Sequence, residues 1–137
     1  MRELDRTDRR ILAVLQEDSS LAIAEVAARV GLSQTPCWRR VQRLRADGVI
    51  ERTVSLVRPE ALGLGLTVFV IIEAFDHSPE WLERFSSVVS AMPQVMEVHR
   101  MAGDIDYLLR VAVADMAAFD AFYRELIAAV PLKNVAS

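Results

Sequence analysis

Three observations in this 137-residue sequence predict an α+β fold in two parts. Residues 22–47 read as an apolar-faced helix, a Gly31–Leu32 turn and a second helix rich in arginine. Beyond residue 60, β-branched apolar runs and amphipathic helical stretches alternate in the order β-α-β-β-α-β. Charge divides the chain at the same place. Residues 1–59 hold 11 Lys/Arg against 8 Asp/Glu, and residues 60–137 hold 5 against 11. The front pattern is that of a winged helix-turn-helix, in which the second helix lies in the DNA major groove. The rear pattern is the split-βαβ, ferredoxin-like βαββαβ plan. Pro59 and the Gly63/Gly65 pair mark a boundary near residue 60. This gives a DNA-binding domain over 1–59 and a second domain over 60–137.

The elements follow in order. Asp5 caps a first helix, with Asp8 three residues on in a capping-box arrangement, and Ile11, Leu12 and Leu15 share its apolar face. Ala22–Val30 is the second helix, burying Val26, Ala27 and Val30. Gly31 suits the left-handed residue that ends a helix, and Ser33 is a strong N-cap for the third. Pro36 falls in that helix's first turn, where its missing N–H costs little. Cys37, Val41 and Leu44 form its buried stripe, and Gly48 ends it. Val49–Val57 reads as a short strand pair, the wing. Leu66–Phe75 is a buried strand. Ser78 caps a helix from Pro79 to about Met92, with Trp81, Leu82, Phe85, Val88 and Val89 inward. Val95–Met101 and Tyr107–Ala114 are strands joined by a turn at Gly103–Asp106. Asp115 caps a helix to about Ala129 that buries Phe119, Phe122, Leu126 and Ile127. A fourth strand begins at Asn134–Ala136, just where the chain stops, so this last strand is expected to be truncated or completed by a partner.

Composition narrows the function classes. The net charge of −3 argues against a generally basic nucleic-acid protein, so tight DNA binding calls for several copies acting together. Leu64–Ala74 is roughly half the length needed to span a bilayer, so no membrane partner is expected. The charged N-terminus lacks a secretory pattern, which points to the cytoplasm. One cysteine excludes an internal disulfide, and with two scattered histidines no structural metal site or cofactor is expected. Neither His77 nor His99 has the neighbours of a catalytic constellation, so an enzyme is not expected.

The candidate DNA contacts are Ser33, Gln34, Thr35, Trp38, Arg39, Arg40, Arg43 and Arg52. Arginine grips phosphates or reads guanine bidentately, and Gln34 and Thr35 at a helix N-terminus suit base edges and a phosphate. A charge run alone commonly does no more than solvate a helix face. The preceding helix, the Gly31 turn and the Ser33 cap favour double-stranded DNA instead. Trp38 either packs on the wing or touches thymine methyl groups. Cys37, on the buried stripe, reads as a packed thiol rather than a redox switch. Gly103–Tyr107, taken alone, is a hairpin turn.

LDRTDRRIL, EVAARVGLSQTPCWRRVQRL, GVIERTVSLVRPEALGLGLTVFV and MAGDIDYLLRV together resemble the Lrp/AsnC family of bacterial and archaeal regulators. The resemblance runs from Leu4 to the last residue. TPCWRR, HSPEW and MAGDIDYLLRV look especially like the branch that includes cysteine-responsive regulators of cysteine breakdown. The resemblance implies a RAM-type rear domain that forms homodimers and often higher homo-oligomers. It also implies an amino-acid effector bound near the Gly103 loop, with Ala102, Gly103, Asp104 and Asp106 as contacts. Backbone N–H groups there would hold a carboxylate, and Asp104 or Asp106 an α-ammonium. The expected function is a sequence-specific transcriptional regulator. A ligand-independent architectural DNA-binding protein is the alternative.

Overall fold

A computed structural model describes residues 3–137. The chain forms two compact units that divide between Leu56 and Val57.

The first unit is a three-helix core. Helix α1 (Arg6–Glu17) opens with a complete capping box: Asp5 accepts the Asp8 N–H at 2.7 Å, and Asp8 accepts the Asp5 N–H at 3.3 Å. Helix α2 (Ile23–Val30) closes at Gly31, whose φ of +73° is the left-handed conformation that glycine adopts without strain. Arg10 of α1 donates to the Val30 and Arg29 carbonyls at 3.3 and 3.4 Å, satisfying the exposed end of α2. Helix α3 (Gln34–Ala46) follows, but the Ser33 hydroxyl makes no capping hydrogen bond, so Ser33 occupies the N-cap through its extended backbone alone. Ile11, Val26, Ala27, Val30, Cys37, Val41 and Leu44 form the core between the helices.

The strand pair expected over Val49–Val57 does not form. Val49 and Ile50 pack on the helical core, but residues 51–58 belong to no hydrogen-bonded strand. Leu56 is 95 % exposed. A hairpin needs a tight turn, usually built on Gly, Asn or Asp, to reverse the chain. Glu51–Val57 contains none of these, so its β-branched residues have no strand to fold back on.

The second unit is a four-stranded antiparallel sheet with two helices. After a single 3₁₀ turn at Pro59–Leu62, the elements are β1 (Leu66–Ala74), α4 (Pro79–Ala91), β2 (Val95–Arg100), β3 (Tyr107–Val113), α5 (Met116–Ala129) and β4 (Leu132–Ala136). Their order across the sheet is β2-β3-β1-β4. Ser78 and Asp115 cap α4 and α5 by accepting the Trp81 and Ala118 N–H groups. The fourth strand begins at Leu132 and pairs with Ile71–Ala74 of β1, across a bulge at Glu73/Ala74. The Trp81 indole donates to the Pro131 carbonyl at 2.7 Å, tying α4 to the start of β4.

Alternation along the strands sorts the sheet's two faces. Val70, Ile72, Leu109, Val111 and Val113 pack with Trp81, Phe85 and Val89 of α4 and with Phe119, Phe122 and Leu126 of α5. The Phe85 ring lies 5.0 Å from Trp81 and 4.6 Å from Tyr107. Ile127, expected inward, stands on the outer side of α5 and is half exposed. It directly follows buried Leu126, and a step of one residue turns a helix by about 100°. The other sheet face carries Phe69 opposite Arg110, Ile71 opposite Leu108, and Glu97 opposite Arg110. Phe69 is 54 % exposed.

Candidate DNA interface and effector loop

Helix α3 divides its side chains among three directions. Cys37, Val41 and Leu44 point into the core, and burial raises the Cys37 thiol pKa, keeping it protonated and inert. Thr35, Trp38, Arg39 and Gln42 recur at i, i+3, i+4 and i+7, and all four are exposed. Gln34 and Arg45 flank this stripe and are also exposed. Trp38, with no wing strands to pack against, is 51 % exposed. Gln42 is not among the residues that the sequence singles out as DNA contacts. Helical spacing from Thr35 and Trp38 is the signal that finds it.

Arg40 and Arg43 take the third direction, toward the start of α1. Arg40 donates to Asp5 at 2.6 Å and to Asp8 at 3.0 Å, and Arg43 reaches Asp8 at 3.4 Å. Asp8 is buried, with only 5 % of its side chain exposed. The Arg40 hydrogen bond, helped by the Asp8 backbone N–H, holds the Asp5 carboxyl down to about 2. Arg52 lies exposed on the extended segment after α3.

In the second unit, residues 101–106 connect β2 to β3. Gly103 adopts a φ of +105°, which side chains rarely tolerate. The Met101 N–H donates to the Asp106 carbonyl, and the Asp106 N–H donates to the Ile72 carbonyl. One Asp106 carboxylate oxygen accepts the Ala74 N–H at 2.7 Å, and the other meets His77 Nε2 at 2.9 Å. The His77 bond, then the Ala74 N–H, lowers the Asp106 pKa. Asp106 thus joins this loop to the end of β1 and the turn before α4. Among the described residues, Ala102, Gly103 and Asp104 are exposed and their N–H groups donate to no backbone acceptor. The role of His77 was not legible in the sequence, since its partner lies 29 residues away.

Residues 67–137 match the family model described as Lrp/AsnC ligand binding domain, and residues 4–51 match Winged helix-turn-helix DNA-binding. The chain belongs to the Lrp/AsnC family. It is 50 % identical over 135 residues to the DNA-binding transcriptional activator DecR of Escherichia coli strain K12, covering 98 % of this chain and 89 % of DecR. The crystal structure of an AsnC family transcriptional regulator from Agrobacterium tumefaciens superimposes with a TM-score of 0.91 at 56 % identity. That alignment covers 97 % of this chain and 87 % of the other. A Neisseria meningitidis transcriptional regulator in complex with L-Met aligns with a TM-score of 0.92 at 33 % identity, covering 98 % and 87 % of the two chains.

As a member of the Lrp/AsnC family, this chain is a DNA-binding transcriptional regulator with an amino-acid ligand-binding domain, and its relatives are regulators rather than enzymes. No helix among the described residues is long and apolar enough to cross a membrane. An open trough of about 860 Å³ lies in the first unit, along Leu12, Leu15, Ser19, Ile50 and Val54. None of its lining residues comes from the 101–107 loop.

Proposed function

We propose that this regulator reads double-stranded DNA through α3 and answers to an amino acid bound at the Ala102–Asp106 loop. The observation that carries the DNA half is the exposed stripe of Thr35, Trp38, Arg39 and Gln42 on the second helix of a helix-turn-helix. Ser33 and Gln34 stand at the helix N-terminus, where N–H groups suit a phosphate. Arg52 supplies a phosphate contact from the segment that follows.

At the effector loop, Asp106 sets the shape while Ala102, Gly103 and Asp104 meet the ligand. Unpaired N–H groups suit the carboxylate of an amino acid, and the Asp104 side chain suits its ammonium. Cysteine and methionine head the panel of effectors. Cysteine follows from the TPCWRR, HSPEW and MAGDIDYLLRV resemblance, methionine from the ligand of the Neisseria regulator. The protein acts as a homodimer or larger homo-oligomer, assembled through the sheet face that carries Phe69, Ile71 and Leu108. Several copies on one DNA offset the weak positive charge of each DNA-binding unit. The two activities belong to the two units that divide between Leu56 and Val57, close to the boundary expected near residue 60, and the cytoplasm is where DNA and free amino acids meet.

The test measures thermal unfolding and DNA binding with each of the twenty amino acids. An effector that binds only the folded state adds about 2.7 kcal/mol at a hundredfold excess over Kd. A shift with one amino acid, lost in Asp104→Ala, identifies the effector. DNA binding that no amino acid alters supports the architectural reading instead.

A further inference from the structure

We infer that Asp8 is a positioning residue that holds Arg40 and Arg43 away from the DNA phosphates. The outward stripe of Thr35, Trp38, Arg39 and Gln42 is then left as the contact face. This inference rests on the reading of α3 as the DNA helix and refines which of its residues touch the duplex.

Asp8 is the one buried charged side chain among the described residues. A carboxylate removed from water needs charged or hydrogen-bonding partners on its oxygens. Asp8 has three: the Asp5 N–H at 3.3 Å, Arg40 at 3.0 Å and Arg43 at 3.4 Å. Swinging either guanidinium out to a phosphate strips the buried carboxylate of a cation. Arg40 is held doubly, because Asp5 takes another of its hydrogen bonds at 2.6 Å. Two acids and two arginines also cancel in charge. Of the four arginines on α3, Arg39 and Arg45 therefore remain to attract DNA. Asp5 and Asp8 do a second job at the same time. Their capping box starts α1, so one cluster sets the first helix and the angle at which α3 presents its outer stripe.

The salt dependence of binding separates a phosphate contact from a tethered arginine. Each contact adds about 0.9 to the slope of log Kobs against log salt. The probe is a mixed-sequence DNA duplex titrated across a salt series with the full chain. Arg39→Gln is expected to flatten the slope by about 0.9. The variant D8N/R40Q/R43Q removes the buried charge together with its partners and is expected to keep the wild-type slope. Asp8→Asn alone frees Arg43 while Asp5 still holds Arg40, and is expected to steepen the slope by about 0.9, with tighter non-specific binding. If circular dichroism shows Asp8→Asn unfolded, the triple variant decides. A triple variant that flattens the slope by about 1.8 would overturn the inference, since both arginines would then be phosphate contacts. A wild-type chain that binds no duplex would instead sink the DNA reading itself.

Discussion

Aspartates carry much of the local order in this protein, and two of them make opposite predictions. Asp106 uses both carboxylate oxygens within the protein, on the Ala74 N–H and on His77. Asp106→Ala leaves the Ala74 N–H without its acceptor and is expected to cost about 1–3 kcal/mol with no ligand present. Asp104 stands exposed beside it. Asp104→Asn is expected to leave basal stability unchanged and remove the stabilisation by the effector, so differential scanning with and without amino acid distinguishes the two. Asp5 predicts a pH dependence. Its carboxyl is held at about 2 against an ordinary 3.8, so the folded state binds its proton less tightly than the unfolded chain does. That contribution is complete above about pH 4 and disappears as pH falls through about 2. Acid titration of Asp5→Asn, followed by the helical signal, is expected to show a shallower loss of stability across that window than wild type.

At the scale of elements, turns and packed faces decide the outcome. Gly31 closes α2 in the left-handed region with open space around it, so a substitution there is penalised by backbone strain and not by a clash. Gly31→Ala is expected to destabilise the helical unit by about 1–2 kcal/mol in urea unfolding. Helix α4 depends on Phe85, which is fully buried between Trp81 and Tyr107. Phe85→Ala is expected to cost about 3–5 kcal/mol. The segment after α3 shows the converse. Its apolar residues lack a turn to bring a second strand alongside, and apolar content alone does not make a wing.

For the whole molecule, the open sheet face is the feature that asks for a partner. Phe69 lies across from Arg110, itself paired with Glu97 at 2.8 Å, and Ile71 lies across from Leu108. On the proposed reading, Phe69, Ile71 and Leu108 together form the surface through which copies of the chain associate. Phe69→Glu replaces an exposed apolar side chain on that face by a charged one and is expected to lower the assembly state measured by light scattering. Because cooperative binding multiplies the contribution of each copy, the same variant is expected to weaken DNA binding by 10²-fold or more, a factor of the order expected for lost avidity.

The sequence by itself determined nearly every element. Capping residues, helix-ending glycines and apolar periodicity act between neighbours along the chain, so Asp5, Gly31, Ser78 and Asp115 marked boundaries that the structure keeps. The stripe of Cys37, Val41 and Leu44 likewise announced which side of α3 is buried. What the tertiary structure decided is where the charged side chains go. Arg39 and Arg40 are adjacent and identical in type, yet one faces outward and the other joins Asp5 and Asp8, 35 and 32 residues away. His77 and Asp106 lie 29 residues apart, yet folding joins them into one clasp. Such pairings depend on how α1 crosses α3 and how the β2–β3 loop meets the end of β1. Nothing local to either residue carries that information, because an ion pair forms only after packing has brought its members together.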